Sequence, residues 1–131
     1  MNVRVAVRLR PFSDRELDLD PEQRCLVSMQ GTTTTLHHPS FESRLDKHFE
    51  FDASLWSHSG FQEQADGYLA PEDKLYVDQA RLFSSLGQGV LDNALEGYHS
   101  CLFAYGQTGS GKSYSMVGYG ANPGIVPVTC Q

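Results

Sequence analysis

The stretch Gly106-Gln107-Thr108-Gly109-Ser110-Gly111-Lys112-Ser113 constrains this chain more than any other. It satisfies the spacing G-x-x-x-x-G-K-[ST], in which glycines let the backbone fold around an anion so that successive N–H groups point inward. The chemistry also dictates the setting. A strand must deliver the loop, and a helix must leave it with the positive end of its dipole at the phosphates. Residues 100–105, "SCLFAY", read as a buried strand feeding the loop, and "SYSM" opens a helix. By average residue usage, a chain of this length matches the pattern by chance in roughly one case in a few hundred. In such a loop Lys112 reaches the β- and γ-phosphates as a point charge. Ser113 offers its hydroxyl to Mg²⁺, which keeps several waters and needs few protein ligands.

The 131 residues suit one domain with a real core and are too few for two ordinary ones. An apolar share of 40% with 20% charged residues fits a folded chain. Sixteen acidic residues against ten Lys and Arg give a net charge of −6, a poor match for nucleic acid or an anionic lipid surface. Cys25, Cys101 and Cys130 are odd in number and far apart, with no C-x-x-C, so reduced intracellular thiols are expected and zinc is not. "MNVRVAVRLRP" alternates apolar residues with arginine and lacks a signal-peptide core. No apolar run approaches the ~20 residues of a membrane span, so the expected compartment is the cytosol.

Along the chain, Val3, Val5 and Val7 alternate with Arg4, Ala6 and Arg8 as in a strand, which Pro11 ends. Residues 13–23 carry five acidic side chains and read as a solvated loop or frayed helical turn. "CLVSMQGTTTTLHH" reads as two short strands about Gly31, and "HFEFD" as another, with Phe49 and Phe51 facing one way. The polar stretch between Trp56 and Val77 reads as a surface loop. Leu82, Leu86, Val90 and Ala94 recur every fourth residue, which predicts a helix over 79–96 capped by Gly97 and weakened by Gly87 and Gly89. Trp56 and the phenylalanines read as core, the five histidines as structural side chains, and Cys101 as a packed residue of the strand before the loop.

Three separated segments, "VRVAVRLRPF", "FEFD" followed by "LW", and "ALEGYHSCLFAYGQTGSGKSYSM", resemble in this order the start of a kinesin motor domain. "NPGIVP" resembles that family's lead into its next helix, and "WSH" with "SYSM" is most similar to the kinesin-3 class of organelle transporters. The resemblance covers essentially the whole chain; residues 59–78 form a loop extended relative to many members. It implies an α/β fold: an incomplete P-loop NTPase of kinesin-motor type, with a partial central sheet, flanking helices and a small β-lobe. Residues 1–131 are then the amino-terminal portion of a motor domain, ending after the P-loop helix.

The resemblance implies ATP and Mg²⁺ as cofactors, cradled by Gly106, Gln107, Thr108, Gly109, Ser110, Gly111, Lys112 and Ser113, with Ser113 as the metal ligand. Through the family's RxRP motif it places Arg8 and Pro11 against the adenine, Arg8 stacking its planar guanidinium on the ring. Without it, Arg8 and Arg10 read as exposed strand arginines. Microtubules are the implied partner of the complete motor, with vesicle or organelle cargo taken through a tail and a cytoplasmic, cytoskeletal location.

Hydrolysis in this family uses a switch I "SSR" and a switch II "DxxGxE", both downstream of the phosphate loop, and neither occurs here. Ser84-Ser85 lies before the loop, and no acidic residue follows Lys112. No catalytic residue is therefore assigned. Two readings stand at this point: the ATP-binding portion of a longer microtubule motor, or a short non-motor nucleotide-binding or interaction module.

Overall fold

The computed structural model describes residues 2–131, which form two compact units that meet in sequence between Ser59 and Gly60. In the first unit, β1 (Ala6–Leu9) runs parallel to β5 (Ala53–Trp56), with Arg8 opposite Leu55. The expected strand from Val3 is shorter than its alternation suggested. Its partner begins only at Ala53; upstream, the Asp52 side chain and backbone take up the Val5 N–H and C=O at 2.7 and 2.9 Å, and Val3 stays exposed. Between these strands lies the small β-lobe: β2 (Val27–Gln30), β3 (Thr33–Leu36) and β4 (Lys47–Glu50) form an antiparallel meander. Its first turn falls at Gly31, whose φ of 59° few other residues adopt easily. Thr34 of β3 is buried and shares a 2.8 Å hydrogen bond with Ser54 of β5, which fastens the lobe to the parallel pair.

Residues 14–19, expected as solvated or frayed, form α1 (Asp14–Leu19). Ser13 and Glu16 make a capping box, in which each side chain bonds the other residue's backbone N–H, so two orphan donors of the first turn are satisfied. That reciprocal pair is what turns a charge run into a helix.

The second unit departs from the expected surface loop over 56–77. It begins with a hairpin, β6 (Phe61–Glu63) and β7 (Leu69–Pro71), after which Tyr76 and Val77 are buried. The long helix follows in three pieces: α2 (Gln79–Leu82), a π-helical turn at Phe83–Gly87, and α3 (Gln88–Leu95). Gly97, at φ 85°, ends it as expected. Its N–H bonds the Ala94 carbonyl and that of Tyr98 bonds the Asn93 carbonyl, the paired pattern of a Schellman cap. The chain closes with α4 (Lys112–Met116), the short hairpin β8 (Gly118–Tyr119) and β9 (Asn122–Pro123), and α5 (Ile125–Thr129). Leu82, Tyr76, Val77 and Ile125 form this unit's core.

The strand expected over 100–105 does not form. Phe103 and Tyr105 are 79% and 97% exposed, and Cys101 is exposed rather than packed. A parallel strand exists only through its neighbours' hydrogen bonds, and among the described residues no strand pairs with this stretch. The phenylalanines divide likewise: Phe41 and Phe49 are exposed with Phe103, while Trp56 and Phe61 are half-buried.

Candidate functional site

The phosphate loop occupies the turn from residue 106 to the start of α4, in the second unit. Gly111 is the N-cap of α4 at φ 101° and ψ 13°, a left-handed geometry that lets the chain swing from loop to helix. Gly106 sits at φ 156°, and a Cβ there would lie 2.5 Å from the Ser110 hydroxyl oxygen, which would have to turn away. Between them the Ser110 N–H bonds the Gln107 carbonyl at 3.1 Å, closing a turn that also contains Thr108 and Gly109. Lys112 folds back over this turn, its Nζ donating to the Gly106 and Gln107 carbonyls at 2.5 and 2.9 Å. Inside α4, Ser115 and Val117 donate to the Gly111 and Ser113 carbonyls, and Ser113 remains exposed.

A cation resting on two neutral carbonyls is poised for exchange, because a phosphate oxygen accepts a charge-assisted bond roughly twice as strong. Besides this ammonium, the loop carries three hydroxyls, on Thr108, Ser110 and Ser113, a polar set of the kind that suits a polyphosphate. Ser113 supplies the kind of hard oxygen that a hydrated Mg²⁺ accepts.

Arg8 and Pro11 belong to the first unit. Arg8 is half-buried on β1, its Nε donating to the buried Ser57 hydroxyl at 2.9 Å, so its guanidinium is fixed in place rather than free as an exposed strand arginine would be. The Pro11 carbonyl accepts a 2.6 Å bond from Arg10, whose guanidinium also grips both Glu16 oxygens at 2.7 and 2.8 Å. Those Arg10 hydrogen bonds, seconded by the Ser13 N–H, hold the Glu16 carboxyl down at about 2, and the pairing raises Arg10 in turn. The segment after β1 is thus tied to α1 by a fork that sequence reasoning missed; the S-x-x-E spacing of Ser13 and Glu16 signals only the capping box beside it.

His37, His38, His48 and His58 serve as hydrogen-bonding side chains. His37 stands between Ser28 at 2.7 Å and Asp46 at 2.9 Å, and the His38 N–H followed by His37 lowers Asp46 below the usual carboxylate range. His58 meets the Arg10 carbonyl at 3.0 Å and packs edge-on against Phe12 and Trp56, whose indole N–H reaches the Ser59 hydroxyl. Gln79 and Asn122, both buried and both bonded to backbone, also escaped the sequence reading: Gln79 lies in no motif, and Asn122 opens the "NPGIVP" segment without any role being read for its side chain.

A left-handed glycine cap opening a helix, with its lysine folded over a tight glycine turn, defines a P-loop nucleotide-binding domain. The family model for the kinesin motor domain matches residues 8–131, and the chain belongs to that family. Similar proteins include the rat kinesin-like protein KIF28, 49% identical over 99% of this chain and 12% of the relative, and the rat kinesin-like protein KIF1A, 42% identical over 99% of this chain and 7% of the relative. KIF1A is of the kinesin-3 class. A KIF14 segment solved with ADP in complex with a microtubule superposes with a TM-score of 0.78 at 39% identity, covering 98% of this chain and 32% of that one. The chain thus spans about an eighth of the length of the KIF28 relative.

Proposed function

We propose that residues 1–131 form the ATP-binding portion of a microtubule-based motor. The observation that carries this reading is the Lys112 ammonium folded onto the Gly106 and Gln107 carbonyls above a glycine turn, where β- and γ-phosphates displace it to their own oxygens. The backbone of residues 106–111 cradles the phosphates, with Gln107, Thr108 and Ser110 lining the turn. Ser113 ligates Mg²⁺, which neutralises phosphate charge when bound. Arg8 and Pro11 flank the adenine. The Arg8–Ser57 bond supports this assignment, because a guanidinium already fixed in orientation gives up less entropy on stacking.

The partner of the complete motor is the microtubule, in the cytoplasm. The relatives support this: the KIF14 segment was solved on a microtubule. Switch residues for water positioning are not among these 131, so the chain contributes nucleotide grip rather than turnover. Titration of a fluorescent ATP analogue into the protein and its Lys112→Ala variant tests the site. Affinity should fall by at least about a hundredfold, the loss of a charge-assisted contact of ~3 kcal/mol; an unchanged affinity rules the cradle out.

A further inference from the structure

A buried polar junction links α4, the helix that leaves the phosphate loop, to the β6–β7 hairpin. Five residues are too few for a helix to hold its own direction in water, and its last carbonyls have no partner within it. Gln79, 3% exposed at the start of α2, supplies one: its Nε2 donates to the Tyr114 carbonyl at 2.7 Å and to the Asn122 carbonyl at 3.3 Å. Asn122, 8% exposed, then grips the hairpin with both ends of its amide. Its Nδ2 donates to the Gly67 carbonyl and its Oδ1 accepts the Leu69 N–H, each at 2.9 Å.

Tyr68, between those two residues, donates its hydroxyl to Asp78 Oδ2 at 2.7 Å, while Asp78 Oδ1 caps α2 through the Arg81 N–H. Burial, and then the Asp78 carboxylate, push the Tyr68 phenol up to about 12, so it stays a donor at neutral pH. The backbones leave no slack. A Cβ on Gly124 would lie 2.5 Å from the Met116 carbonyl carbon, and one on Gly118 would strike the Asn122 carbonyl oxygen. Because a buried amide stripped of one partner pays its full desolvation cost, the junction shifts as a unit or not at all.

We propose that the β6–β7 hairpin is a positioning element of the nucleotide site, with Gln79 and Asn122 coupling it to the direction of α4. Nucleotide captured on the loop tightens the hairpin, and by reciprocity the hairpin slows nucleotide release. Neither residue touches the phosphates; both act through the Tyr114 end of α4. The inference rests on the nucleotide reading above.

The test follows hydrogen exchange of the Leu69 amide in the full-length protein, with and without Mg-ADP, for the wild type and Gln79→Ala. Mg-ADP should slow wild-type exchange at Leu69 by about tenfold, within the usual range of coupling between sites. In Gln79→Ala that slowing should vanish while ADP still binds and leaves about tenfold faster. If Leu69 ignores bound ADP in the wild type, or the slowing survives in Gln79→Ala, the coupling is overturned and the nucleotide reading stands. A wild type that binds no Mg-ADP overturns both. Should Gln79→Ala fail to fold, Gln79→Met, of similar length and without a donor, gives the same comparison.

Discussion

Glu16 carries two tasks on one carboxylate. It receives both nitrogens of the Arg10 fork and the Ser13 N–H, so three donors favour its charged form. Because its folded value of about 2 lies below the ordinary 4.5, its contribution to stability is complete above pH ~5 and is lost as pH falls through the folded value. Acid unfolding of Glu16→Gln should therefore differ from wild type near neutrality, with the gap closing between pH 5 and 2; curves separated by a constant offset would remove Glu16 from the account. The same fork steadies the Pro11 carbonyl, so the variant should also weaken ATP binding modestly if Pro11 flanks the adenine.

Two glycines of the long helix test the packing of whole elements. Gly87 ends the π-helical turn, where a Cβ would overlap the Phe83 ring and lie 3.0 Å from Ile125 of α5. Gly87→Ala should cost about 1–3 kcal/mol by overpacking. Gly89, two residues on, faces open space, and Gly89→Ala should stabilise by about 0.5–1 kcal/mol through helix propensity alone. Urea denaturation of both variants checks the opposite signs. This contrast was invisible in sequence, where both glycines simply weaken a helix. The elements that were legible carried their own instructions: Gly31 between two β-rich runs, Gly97 after the last apolar repeat, and the glycines and lysine of the phosphate loop. What escaped depends on distant partners. Residues 100–105 have strand composition without strand neighbours, and the β6–β7 hairpin has polar composition but is anchored by Asn122, about fifty positions downstream.

At the scale of the molecule, charge bears on what these residues can dock against. The 131 residues carry a net charge of −6, which opposes docking on an acidic surface. Residues 1–131 on their own should show phosphate release that microtubules do not accelerate; a clear acceleration would place the switch chemistry inside this segment. Phe103 and Tyr105, almost fully exposed beside the loop, should bind a hydrophobic dye in the isolated segment, and Phe103→Ser with Tyr105→Ser should reduce that signal. The single tryptophan adds a built-in reporter. Trp56 lies in the first unit, bonded to Ser59 and edge-on to His58, while the phosphate loop lies in the second. Its emission therefore follows the melting of one unit only, and a backbone signal such as circular dichroism follows both. Two midpoints that coincide would show the units unfolding together, and two that separate would time each unit by its own light.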